Sequence, residues 1–250
     1  MKNLHLTAAF IAAFALAAPV QAQRAARPSP AILAAVADPT RPGEDAARDA
    51  NRHPAEILAF AGVRPGMRIV ELAPGGGYYT RILARAVGPR GHVYAVVSPA
   101  FAARPESMAR FQRIIAGYPN VEIVVSAIPA LTMNQPVDIV WTSENYHDFH
   151  NAQGTDMAAL NRAVFGALRP GGVYYVEDHA APGTGVTATS TLHRIDPQAV
   201  RDEVTAAGFR LDGESPVLAN PADPHTARVT DSAIRGRTDR FAMRFRKSAR

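Results

Sequence analysis

"RIVELAPGGGYYTRILARAVGPRGHVYAVVSPAF", Arg68 to Phe101, decides the fold. A short β-branched run, Arg68 to Ala73, leads into Pro74-Gly75-Gly76-Gly77. A helical pattern follows, and "HVYAVVS" makes a second strand. Strand, glycine turn, helix and strand form a βαβ unit. Its turn brings backbone close to a ligand, with the free N–H groups of a helix start behind it. Two common phosphate-binding versions fail on residues. A dinucleotide turn would carry a third glycine at the sixth position from Gly75, where Thr80 stands, and a P-loop would need a lysine. Three consecutive glycines without a phosphate partner suit a ligand with a carboxylate end and a bulky sulfonium or ribose.

From this unit the pattern continues outward. "VEIVVSAI", "VDIVWTSE" and "GVYYVED" are further short runs, apolar on both faces. "PESMARFQRIIAG" and "DMAALNRAVFGAL" read as helices between them. Such runs suit a parallel sheet covered on both sides. The last third changes character. Asp196-Pro197 starts a helix that Gly208 stops. "FRLDGESPVLA" is strand-like, and "RFAMRFR" alternates Phe241, Met243 and Phe245 against Ala242, Arg244 and Arg246. Two strands without a helix between them predict an antiparallel end to the sheet. The polar segment 220–238 between them is long enough for a lid or substrate loop. Upstream, Pro30–Ala37 reads as a short helix, and Glu44–Ala61 as helical, broken or restarted at Pro54.

The N-terminus reads as an address. Lys2, an apolar run from Leu6 to Ala18, Pro19 and the small-residue site Val20-Gln21-Ala22 have the layout of a secretory signal peptide over 1–22. Residues 23–43 are read as an Ala/Pro-rich extension and 44–250 as one domain. The expected location is periplasmic or secreted, with no stable membrane insertion after cleavage. The chain has no cysteine, which excludes disulfides, thiolate catalysis and zinc–thiolate sites. The net charge of +5 is dispersed, unlike a nucleic-acid footprint.

"VRPGMRIVELAPGGGYYT" resembles the first motif of class I S-adenosylmethionine-dependent methyltransferases, E/D-x-G-x-G-x-G. "LRPGGVYYVED" resembles the turn that leads into their fifth strand. With "ARDANRHPAEILAFAGVRPGM", "NYHDFH", "TLHRID" and "TDRFAMRFRK", the chain looks most like a group of exported bacterial predicted methyltransferases, from about Arg41 to Lys247. The resemblance implies a doubly wound, mostly parallel seven-stranded sheet with an antiparallel last strand. It implies S-adenosylmethionine as cofactor, held by Glu71, Ala73, Gly75, Gly76, Gly77, Tyr78, Ser98 and Asn145, and a small-molecule or envelope acceptor. Two positions depart from the pattern. The acid that usually binds the ribose falls about twenty residues past the turn; here that residue is Val97, followed by Ser98. The third strand ends in Ser126-Ala127, again without an acid.

Catalytic groups belong beyond the carboxyl ends of the strands. "ENYHDFH" (144–150) and "EDH" (177–179) qualify, and His147, Asp148 and His179 are the expected catalytic residues, His147 as base by its type. His193-Arg194 is a candidate holder of an acidic substrate. No metal is expected, because His147 and His150 read as loop residues rather than helical ligands. The Asn/Asp-Pro-Pro-aromatic signature of adenine amino-methylation is absent, and no nucleic acid is expected as acceptor. A second class of reading is a non-catalytic periplasmic binding protein on a degenerate methyltransferase scaffold, which Val97 favours.

Overall fold

The computed structural model describes residues 27–249; the leader assigned to 1–22 lies outside them. Seven strands form one sheet: β1 Arg68–Leu72, β2 His92–Val97, β3 Val121–Val125, β4 Val137–Ser143, β5 Leu168–His179, β6 Arg210–Ser215 and β7 Arg240–Arg246. Their order is β3-β2-β1-β4-β5-β7-β6. β1 to β5 pair in parallel, and β7 inserts antiparallel between β5 and β6. The antiparallel end is therefore as read, and β7 is the strand that runs against its neighbours.

The strands alternate between two buried faces. Ile69, Trp141 and Tyr175 join one apolar cluster with Ile57, Leu58, Ile82 and Leu83 from the helices Pro54–Ala61 and Tyr78–Val87. Val70, Val140 and Tyr174 join the other, with Leu160 and Val164 of helix Met157–Ala167 and Val200 of helix Pro197–Ala206. Each fully buried large side chain contributes about 1.5–3 kcal/mol. This is why the parallel strands carry runs of consecutive apolar residues at their centres rather than a strict alternation. The helix Pro30–Val36 buries Ile32 and Ala35 in the first cluster, so the core draws on residues ahead of Glu44. Glu44–Ala61 folds as three short helices, Gly43–Ala46, Asp49–Arg52 and Pro54–Ala61, and the last starts at Pro54 after a left-handed His53.

β5 begins earlier than its apolar run. Leu168 already pairs with Val137 before a register shift. A Cβ at Gly172 would lie 2.9 Å from the Arg169 carbonyl oxygen and 3.2 Å from that of Asp138, so only glycine lets the chain pass there. The strand order reverses at β1, between β2 and β4. The carboxyl ends of β1 and β4 flank that switch point, where open α/β sheets bind ligands.

Candidate functional site

The glycine turn sits at the switch point and is fastened from beneath. Ala73, Gly75 and Gly77 all have left-handed φ, of 48°, 56° and 75°. Asn145 Nδ2 donates to the carbonyls of Leu72 (2.9 Å) and Ala73 (3.1 Å), while its Oδ1 accepts from Thr142. Asn145, expected to touch the cofactor, spends its amide on holding the turn. Glu71 is likewise turned inward. It accepts a 2.6 Å hydrogen bond from Thr80 Oγ1, and burial pushes its pKa up to about 8, so near pH 7 it is mostly a neutral acid. Ser98 caps the helix Pro99–Ala102 by accepting from Phe101 N–H at 3.1 Å, which uses one of its two acceptor lone pairs. Tyr78 starts the helix after the turn and donates to Asp49 Oδ1 at 2.6 Å.

Two cavities share Ala73, Pro74 and Gly75 as a common wall. The larger, about 520 Å³, lies beyond β2 and β3. Its walls, including Val97, Phe101, Ile128, Phe149 and Leu160, are mostly apolar. The smaller, about 320 Å³, lies between the turn and β4, and its lining includes Arg48, Arg52, Trp141, Ser143, Glu144 and Asp148. In the smaller cavity Trp141 Nε1 and Ser143 Oγ are buried without a hydrogen-bond partner. Buried polar atoms of that kind call for a ligand or water to complete them.

A third cavity of about 550 Å³ shares Arg48, Arg52 and Glu144 with the second, and adds His179, Arg235, Thr238 and Arg240. Glu144 stands in the left-handed region (φ 56°) with its N–H held by the Glu177 carbonyl at 2.8 Å. Its carboxylate accepts from both Arg52 and Arg240. Burial alone would raise the pKa of Glu144. The charges of Arg52 and Arg240 outweigh it and hold the carboxyl well below the usual range. Arg240 also reaches Glu177 Oε1 at 3.3 Å, and Glu177 accepts from the hydroxyls of Tyr79 and Tyr175. His179 lines this cavity, with Nδ1 2.8 Å from Thr238 Oγ1. Burial pushes its pKa below the ordinary histidine value, so it is neutral at pH 7.

His147 differs from the sequence-based expectation. It lies in a helix, Tyr146–Asn151, rather than a loop, and is buried. Its Nδ1 is 2.8 Å from Asp178 Oδ1, and its Nε2 3.2 Å from Asp148 Oδ1. Burial would lower its pKa, but hydrogen bonds to Asp148 and Asp178, with their charges, raise it to about 10. Between two carboxylates His147 rests as an imidazolium near pH 7, with no free lone pair to take a proton in that state. His179 has the protonation state that a general base requires. His150 turns away to Glu203, 3.1 Å off.

The pair His193-Arg194 divides. Arg194 is fully buried and binds Asp223 and the carbonyls of Ala180 and Ala227; it has no reach to a substrate. His193 instead places Nδ1 3.3 Å from Asp148 Oδ1. Sequence reasoning missed Arg52, Trp141 and Arg240. Arg240 opens the strand whose alternation was read from Phe241, one residue further on, and a cation at that end of β7 was the available signal. Nothing in the sequence marks Arg52 or Trp141.

No protein-family model matches the chain. Among curated proteins it is similar to a protein-L-isoaspartate O-methyltransferase from Ignicoccus hospitalis, at 36% identity over 72 residues; the match spans 28% of this chain and 32% of that relative. Among solved structures it is similar to a SAM-dependent methyltransferase from Aquifex aeolicus, with TM-score 0.55, 17% identity and coverage of 76% of this chain and 87% of that one. It is also similar to the N-methyltransferase NodS from Bradyrhizobium japonicum, with TM-score 0.55, 13% identity, and coverage of 84% and 98%. The fold is the α/β, Rossmann-like fold of the class I methyltransferases, a mostly parallel sheet of seven strands with an antiparallel end.

Proposed function

We propose that this protein is an S-adenosylmethionine-dependent methyltransferase acting on an acidic small molecule or envelope component. The observation that carries the reading is the split polarity of the two cavities on either side of the glycine turn. The apolar cavity beside Val97 and Phe101 suits an adenine ring. The smaller one offers Arg48, Arg52 and the unpaired Trp141 Nε1 and Ser143 Oγ to an amino-acid carboxylate, and Glu144, Asp148 and aromatic faces to a cation. The cofactor brings the reactive methyl sulfonium. The protein's part is to place it and to hold an acceptor in the third cavity. There four arginines against Glu144 favour an anion, and neutral His179 takes the acceptor's proton at a ring nitrogen. The short curated match and the shared fold agree with methyl transfer.

Titration calorimetry with S-adenosylmethionine tests this. The clean probe of the turn is Gly76. A Cβ there meets nothing within 4 Å and its φ lies outside the left-handed region, whereas one at Gly77 would lie 2.6 Å from Ile114 Cγ2 and Gly75 has φ +56°. Gly76→Leu puts apolar bulk on the wall of the smaller cavity without backbone strain. Its expected effect is loss of measurable binding at unchanged melting temperature. Wild-type affinity in this variant, or no binding by the wild type, sinks the cofactor reading.

Export belongs to the same reading and is supported by Lys2, the apolar run Leu6–Ala18 and Val20-Gln21-Ala22. Protein recovered from cell envelopes is expected to begin at Gln23 on N-terminal sequencing. Full-length chain confined to the cytosol would refute export.

A further inference from the structure

We propose that His147, Asp148 and His193 form a binding site for a divalent transition-metal ion of the zinc class at the edge of the smaller cavity. The site does not depend on methyl transfer. The candidate ligand atoms, one from each residue, all lie within 4.8 Å of one another. Asp148 Oδ1 is 3.2 Å from His147 Nε2 and 3.3 Å from His193 Nδ1. A tetrahedral zinc ion with bonds of about 2.0–2.1 Å separates its ligands by roughly 3.3 Å. Those two edges are thus already at coordination distance, before any ion draws the groups together.

The surroundings are those of a metal ligand. His147 turns its other nitrogen to Asp178, whose side chain is wholly buried; Asp178 also accepts the backbone N–H groups of His147 (2.8 Å) and His179 (2.7 Å). A buried carboxylate on Nδ1 fixes the ring, an arrangement found behind most metal-bound histidines, and an ion that binds Nε2 displaces to solvent the proton this nitrogen shares with Asp148. His193 is held at left-handed φ (54°) as the cap of helix Thr189–Leu192, and its ring stands edge-on to that of His147, centroids 5.4 Å apart. Strained backbone at a non-glycine residue collects at functional sites. His193 Nε2 lies 2.6 Å from Arg228 Nη2. On metal binding that nitrogen takes the ring hydrogen, and Arg228, which is exposed, moves aside.

The side chain of Asp148 is half exposed and lines the smaller cavity. A fourth coordination position is therefore open on the cavity side. Three protein ligands with an open fourth position characterise catalytic rather than structural zinc. The sequence hid the set because His193 lies far along the chain from the other two, whereas the nearby His150 does not face the site.

The test uses the mature protein stripped by chelation. Calorimetry with Zn²⁺ alone is expected to show one ion per chain, and Co²⁺ to give the visible absorption of a tetrahedral complex. Asp178→Asn, which removes no ligand but alters the support of His147, is expected to weaken Zn²⁺ about 10–100-fold. Asp148→Asn and His193→Ala, both at accessible positions, should weaken it further, and His150→Ala should leave it unchanged. Melting temperatures measured without metal show that the variants are folded. Zn²⁺ binding equal to wild type in both Asp148→Asn and His193→Ala, or no stoichiometric binding by the wild type, overturns the site. Neither result bears on S-adenosylmethionine binding, which is measured separately.

Discussion

Arg194→Ala is expected to cost about 3–5 kcal/mol of folding stability, the range for breaking a buried ion pair by removing one partner. The side chains of Arg194 and Asp223 have no solvent exposure and meet at 2.8 Å and 3.2 Å. Arg194 also donates to Ala180 and Ala227 carbonyls, and the other side of Asp223 accepts the backbone N–H groups of His225 and Asp239. Without the guanidinium, a carboxylate that still organises the segment 220–238 is left buried and uncompensated. A domain has only about 5–15 kcal/mol of net stability, so the loss should be plain in a urea melt. It has a functional signature too. Val229, Arg235, Gly236 and Thr238 of that segment line the third cavity but not the two beside the glycine turn. In whatever fraction remains folded, S-adenosylmethionine affinity should stay near wild type. A variant that melts within about 0.5 kcal/mol of wild type, the range of ordinary surface substitutions, would show that the pair does not anchor the segment.

Arg194 also marks where the sequence stops being legible. The βαβ rhythm could be read because parallel strands buried on both faces carry apolar residues at consecutive positions, as Ile69-Val70 in "RIVEL" and Ile139-Val140-Trp141 in "VDIVW". β7 could be read because one face packs under the helices while Arg244 and Arg246 stay partly exposed on the other. Those signals are local. The fate of a polar side chain is not. His193 and Arg194 are neighbours in sequence, yet one faces Asp148 and the other is buried on a residue of the following segment. His147 has the right type for a base, and only the two carboxylates brought to it by its own helix and by β5 hold it protonated near pH 7. Asn145 and Glu71 were placed correctly at the turn. Their hydrogen-bond partners, Leu72, Ala73 and Thr80, turn them inward. Position along the sheet follows from pattern, whereas partner choice follows from tertiary contacts that pattern does not encode.

Val97→Asp is expected to tighten S-adenosylmethionine by about one to two decades, the worth of roughly 1.5–3 kcal/mol for a charged hydrogen bond, less what the carboxylate loses on desolvation. Val97 ends β2, pairs with Val125 of β3 and is buried in the wall of the larger cavity. In the resembled methyltransferases an acid at this place binds the ribose hydroxyls. The neighbouring Ser98 is a weaker substitute, because its hydroxyl is neutral and one of its acceptor lone pairs is engaged by Phe101 N–H. The same substitution has a cost in the free protein. Ala127, Ile128, Phe149 and Leu160 surround the cavity with apolar surface, so an unliganded aspartate there lacks a partner and the melting temperature should fall. Ligand should then restore more stability to the variant than to the wild type, since binding energy adds to folding stability when only the native state binds. Dissociation constant and melting temperature, measured together with and without ligand, separate this from the competing reading. If the cavity has been rebuilt around Val97 for an apolar ligand, the aspartate lowers stability and adds no affinity. That outcome would move the protein from methyl transfer to non-catalytic binding on the same scaffold.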